Sequence, residues 1–275
     1  MAVNERTLQS NQTTHARHGV RIKTIALPAE HGGWGLLFEP VVLGLLLAPS
    51  IAGLYLAFSA VGFFLARHPL TLLILSRKRS SPRTALAKSF AALYIFTGVS
   101  SFIVAISFTQ HSFVLPLLIA APFAIVQLAY DWSGRRRVLL SELAGAIAIS
   151  SLAPAIALSG GWSSAAAFAL WTIMIARAVP SIVYVRTCLK RLHGRAAPNY
   201  SVVIAHTLAL LLAVCLVVMR AAPRLTILAL ILLSIRAVIG VLVSMRVTAK
   251  QLGFSEIGFG AATVIVVVVG YAFSL

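Results

Sequence analysis

GWGLLFEPVVLGLLLAPSIAGLYLAFSAVGFFLARHPL, residues 33–70, decides the fold. It carries one apolar run over 33–48 and a second that starts at 51 and continues to 75, split by Ala48-Pro49-Ser50. A helix that crosses a bilayer needs about 20 such residues. The runs are too long and too evenly apolar for barrel strands, which alternate. Seven more runs follow, at 87–108, 112–130, 138–159, 163–188, 200–220, 224–246 and 254–274. Breakers separate them at Ser81-Pro82, Ser133-Gly134, Gly160-Gly161 and Pro223. The expected fold is an all-α, polytopic integral membrane bundle of about nine transmembrane helices.

Composition agrees. Charged residues are 11% of the chain, against about 25% in soluble domains, and mean hydropathy is +0.96. Residues 1–26 read as a disordered basic cytoplasmic tail, and 27–275 as a single transmembrane domain. The tail has no apolar core, so it is not a secretory signal peptide. Cys188 and Cys215 suggest no disulfide framework and no CxxC metal site.

The formal net charge is +17. The basic residues lie in short blocks between apolar runs, not along one face, so they read as topology signals and anionic-lipid contacts and not as a nucleic-acid site. With the N-terminus in the cytoplasm, 21 of the 23 Lys and Arg fall on the cytoplasmic side, and only Arg220 and Arg224 fall opposite. That asymmetry predicts a multi-pass protein of the cytoplasmic (inner) membrane, N-terminus in and C-terminus out.

Two segments look alike: ARHPLTLLILSRKR from Ala66 and ARAVPSIVYVRTCLKR from Ala176. Each sets an arginine before a proline, then an apolar stretch, then a basic cluster. At about 1.5 Å per residue, Arg67 lies roughly 15 Å above Arg77, and Arg177 about 13 Å above Arg186. Both belong inside the bilayer, where an uncompensated charge is costly. Glu39 lies at a depth close to that of Arg67, so the expected pair is Glu39 with Arg67, beside a kink at Pro40. Glu142 is the expected partner of Arg177. Asp131, in YDWSGRRR, reads as a loop charge paired with Arg135. Arg236, in the middle of the eighth run, has no obvious partner, since Glu256 at the start of the ninth reaches it only through a bend.

Glu30-His31-Gly32-Gly33-Trp34-Gly35 opens the first helix. Its glycines permit a helix start that turns N–H groups toward an anion. They equally suit close helix packing, with Trp34 as an interfacial anchor. His68 adjoins Arg67 and is either a proton-relay group or a satisfied buried histidine. No HxxxH, ExxH or DxxD spacing joins Glu30, His31, Glu39, His68 and Asp131, so no metal and no cofactor are expected.

PAEHGGWGLLFEP (28–40), with ARHPL and RAVPSIVYVR, resembles the YwiC-like family of bacterial membrane proteins, over residues 27 to about 275. That family implies a membrane protein without a settled reaction. More distantly, nine helices with special segments at the ends of helices 2 and 6 look like the UbiA prenyltransferases. That likeness implies a UbiA-like bundle with a cytoplasm-facing cavity. The Asp-rich motifs that hold Mg²⁺ in those enzymes have no counterpart here, because 67–88 and 177–195 contain no acid. Arginines in such a cavity would bind carboxylate or phosphate directly. The expected ligand is an anionic amphiphile, lipid-like or isoprenoid, held by Arg67, Arg177 and Arg186 with Glu39, Glu30, His31 and His68 around it. A metal-independent transferase, a small-anion or metabolite transporter and a structural or assembly factor all remain open, with membrane lipids as partners in each case.

Overall fold

The computed structural model describes residues 22–27, 31–76, 81–110, 112–135, 137–242 and 248–274, with His31 described in its backbone only. Among these residues the chain is helical throughout, without strands. A short turn, α1 (Lys23–Ala26), precedes α2 (His31–Leu47), α3 (Ile51–Leu75), α4 (Pro82–Ser107) and α5 (Val114–Trp132). Then come α6 (Leu139–Ser150), α7 (Leu152–Ser159), α8 (Ser164–Leu192), α9 (Tyr200–Val218), α10 (Leu225–Leu242) and α11 (Ala249–Phe273).

Among the described residues all nine apolar runs are helical, and eight segments are long and apolar enough to cross a membrane, with α6 and α7 counted as the single segment Leu139–Ser159. The remaining one, α2, is shorter: its 17 residues reach only about 25 Å. The protein is a multi-pass helical membrane bundle.

Local chemistry explains where the boundaries depart from the hydropathy runs. α4 starts at Pro82 and not at 87, because Ser81 and Thr84 form a capping box and Pro82 occupies the first turn. α11 starts at Ala249 and not at 254, because Thr248 and Gln251 form another. The run 138–159 breaks at Ser150-Ser151, four and three residues before Pro154, whose ring cannot follow an unbroken helix. The tail also ends earlier than expected. Lys23–Ala26 is helical, Ile25 is fully buried, and Tyr94 Oη donates to the Ala26 carbonyl at 3.2 Å. Residues 1–21 lie outside the described residues.

The bundle is solid at one end and hollow at the other. α7 is the plug of the solid end: Ala153, Ala155, Ile156 and Ala157 are fully buried, among Leu43, Leu56, Leu170 and Val267. Ser159 Oγ lies 3.3 Å from Ser50 Oγ, the cap that starts α3. At the other end six helices, α2, α3, α5, α6, α8 and α11, stand around a cavity. α4 lies outside this ring against α3, with Gly62 on the backbone of Gly98. α9 and α10 lie outside it against α8.

A candidate ligand cavity lined by ion pairs

The cavity has a volume of about 550 Å³. It lies where α2, α6 and α11 begin and where α3, α5 and α8 end. This is the end that carries Arg135, Arg137, Lys190, Arg191 and Arg195. Three helix N-termini around one space offer backbone N–H donors to an anion, while the C-termini of α3, α5 and α8 at the same end offset their dipole charge.

Two ion pairs form the rim. Arg67 of α3 grips Asp131 of α5 with a fork: Nε meets Oδ2, and Nη2 donates to Oδ1 at 3.0 Å. Asp131 is fully buried, whereas Arg67 keeps 24% of its side chain exposed. Across the mouth, Arg186 of α8 sits 2.8 Å from Glu142 of α6 and donates to the Arg137 carbonyl at 3.0 Å. Arg186 is 25% exposed, and Arg137 is exposed and lines the cavity.

A chain of four charges forms the floor. Glu39 Oε2 of α2 lies 2.7 Å from Arg177 Nε of α8. The Nε–H is not aligned on that oxygen, so the contact is an ion pair and not a hydrogen bond. Arg177 Nη2 donates to the Glu256 carbonyl of α11 at 2.8 Å, and Nη1 lies 3.8 Å from the Glu256 carboxylate. Glu256 in turn pairs with Arg236 of α10. The Arg236 guanidinium lies over the Tyr184 ring at 4.3 Å and the Phe259 ring at 4.9 Å, which adds cation–π attraction at a mostly buried site. Two acids and two bases cancel, which is how the membrane interior tolerates them. α11 passes this cluster at Gly260. A Cβ there would fall on the Glu39 carboxylate and within 2.7 Å of Arg177 Nη2.

The side walls differ. Ile182, Val185 and Leu189 of α8, with Ile257 of α11, make one wall apolar. The opposite wall, from α5 and α6, carries Gln127, Ser141 and Glu142.

Arg67, Arg177, Arg186 and Glu39, expected from the sequence, all line this cavity. Their pairing differs from expectation in each case. Glu39 pairs with Arg177, and Arg67 pairs with Asp131, because α5 and not α2 presents an acid to the face of α3 that carries Arg67. Glu142 pairs with Arg186 and not Arg177, since it lies in the first turn of α6 and Arg177 lies far deeper. Asp131 belongs to α5, not to a loop contact with Arg135. Glu256 reaches Arg236 directly, because the earlier start of α11 places it two turns inside the helix. Arg177 is 3% exposed, and the floor pairs engage it. His68 does not line the cavity. Its Nε2 lies 3.1 Å from the Thr24 carbonyl. Glu30 and the side chain of His31 lie outside the described residues. Arg137, Gln127 and Ser141 are cavity residues that the sequence reading did not select.

No solved structure and no curated protein matches the chain. The similarity to the UbiA prenyltransferases is therefore not borne out. The family model described as YwiC-like protein matches residues 27–157. The match takes in Glu39, Arg67, Asp131 and Glu142 and ends before Arg177. Over residues 27–157 the chain is similar to the YwiC-like family.

Proposed function

We propose that the cavity binds an anionic amphiphile, lipid-like or isoprenoid, by its head group. The observation that carries this reading is the mouth of the cavity. Arg67, Arg137 and Arg186 stand there part-exposed, among three helix N-termini, above an apolar wall. Forked guanidinium donors suit a phosphate or carboxylate head. A volume of about 550 Å³ is in the usual range for ligand sites, about 300–1,000 Å³. By the positive-inside rule the mouth faces the cytoplasm of the inner membrane, with the N-terminus on that side and the C-terminus outside. Arg177 serves the floor and keeps Glu39 neutralised, and the head group meets Arg67 and Arg186.

Native mass spectrometry on protein purified in mild detergent tests this, with extraction of co-purified small molecules. The wild type should carry an anion-headed amphiphile, or bind added dodecyl phosphate. The Arg67→Gln/Arg186→Gln double variant should do neither. A folded wild type with no bound amphiphile and no affinity for dodecyl phosphate overturns the proposal.

A second reading, a small-anion transporter, draws on one observation. Four of the six helices around the cavity carry an internal proline, Pro40, Pro69, Pro122 and Pro180, and prolines in membrane helices are candidate hinges for gating. Uptake of a small anion by proteoliposomes, driven by a potential or pH gradient, would favour it over the amphiphile.

A further inference from the structure

Gln127 lies on α5 four residues before Asp131, hence on the same face and one turn deeper. Its amide lies across the backbone of α6 at Gly145, where any Cβ would collide with the amide nitrogen. Gly145 stands three residues beyond Glu142, again one turn deeper than the rim. The two rim pairs and this amide therefore form successive tiers, about 5–6 Å apart. The amide lines the cavity and makes no hydrogen bond to any described residue. Ser141 Oγ, on the same α6 wall, makes none either, although Ser141 is 1% exposed as a residue.

An amide in a membrane helix needs a partner. Packing does not supply a reason for this one, because a leucine or methionine would fill the same space without the polar cost. The glycine opposite it is the one residue type that lets the amide lie in the cavity wall.

We infer that Gln127 forms a second, uncharged subsite one turn below the arginine rim, with the Ser141 hydroxyl on the α6 wall above it, and that it reads a carbonyl or hydroxyl oxygen of the ligand. The inference rests on the amphiphile reading and makes it more specific. The ligand carries its anion at Arg67 and Arg186 and an uncharged oxygen a few bonds along, before the hydrocarbon. A plain alkyl phosphate satisfies only the first tier.

Two probes of equal chain length separate the tiers: dodecyl phosphate, and 1-lauroyl-glycerol-3-phosphate, which adds a hydroxyl and an ester carbonyl. Both are titrated into the full-length protein in detergent and read by native mass spectrometry. The wild type should prefer the lauroyl compound about five- to tenfold, the contribution of one net neutral hydrogen bond. Gln127→Met, similar in volume and apolar, should bring the ratio close to one and leave dodecyl phosphate affinity unchanged. Gly145→Ala, which keeps the amide but displaces it, should do the same. Arg186→Gln should weaken both probes alike. A wild-type ratio near one overturns the subsite, as does a Gln127→Met protein that keeps the wild-type ratio or loses both probes equally. If the wild type binds neither probe, the amphiphile reading fails, and the subsite fails with it.

Discussion

Removing the charge of Glu39 tests the floor of the cavity directly. Arg177 is 3% exposed and Glu39 is 9% exposed, so water compensates little of either charge. Breaking a buried pair by removing one member costs about 3–5 kcal/mol, because the other charge is left uncompensated. Glu39→Gln leaves Arg177 with Glu256, whose carboxylate is 3.8 Å away and already shared with Arg236. That residual partner puts the loss at the lower end, about 3 kcal/mol. Arg177→Met strands Glu39 with no cation and should cost about 4–5 kcal/mol. With both charges gone, the remaining deficit is the hydrogen bond to the Glu256 carbonyl, about 1 kcal/mol. The double variant should therefore be more stable than either single one, with a coupling energy of about 6–7 kcal/mol. Equilibrium unfolding by SDS in mixed micelles measures all four corners of the cycle. A second cycle, Glu39→Gln with Arg67→Ala, should be additive to within about 0.5 kcal/mol, since Arg67 answers to Asp131. Coupling of Glu39 to Arg67, with none to Arg177, would refute the assignment of partners.

Three other outcomes follow from the same packing. Gly260→Ala should cost about 3 kcal/mol or more by driving apart Glu39 and Arg177. Gly253→Ala, where a Cβ meets nothing within 4 Å, should be neutral or slightly stabilising in the same unfolding assay. Gly62→Ala should cost about 1–3 kcal/mol, because its Cβ would lie 2.7 Å from the backbone nitrogen of Gly98 and pry α3 from α4. If it unfolds at the wild-type SDS fraction, the α3–α4 seam is not as close as described. For topology, a cysteine placed at Arg137 in a Cys188→Ser/Cys215→Ser background should be shielded in intact cells from a membrane-impermeant maleimide, and one at Ser163 should react. The reverse pattern would invert the orientation.

Hydropathy made the helices legible because it is a one-dimensional property: a run of apolar residues between breakers needs no knowledge of its neighbours. Depth was legible only in part, at a fixed rise per residue. What it cannot give is azimuth and helix order. Glu39 and Arg67, expected at one height, belong to the floor and the rim, and each turns to a different helix. Asp131 carried a signal that was available. It stands in the last turn of α5, where the helix dipole opposes a carboxylate, so its place there calls for a cation from elsewhere. Gln127 carried another, as an amide inside an apolar run and one turn from that acid. Arg137 was hidden by its company, since a basic loop residue reads as a topology signal whether or not it also lines a cavity. The early start of α11 lay in the box Thr248–Gln251, which a purely apolar criterion passes over.

The scarcity of acids now has a physical meaning. The chain has six, and each of the four described, Glu39, Asp131, Glu142 and Glu256, is paired with an arginine. None adds a free negative charge to the cavity. Their effect is to make the two deep guanidinium groups, Arg177 and Arg236, tolerable in the membrane while leaving those at the rim, Arg67 and Arg186, part-exposed. The field in the mouth then comes chiefly from Arg137, because the half charges of the three helix N-termini are offset by those of the three C-termini at the same end. That is a modest positive potential with well-placed donors. It suits a head group of one or two negative charges recognised by hydrogen bonding. Selectivity at this site should accordingly follow the geometry of donors and the uncharged tier at Gln127 more than the total charge of the ligand.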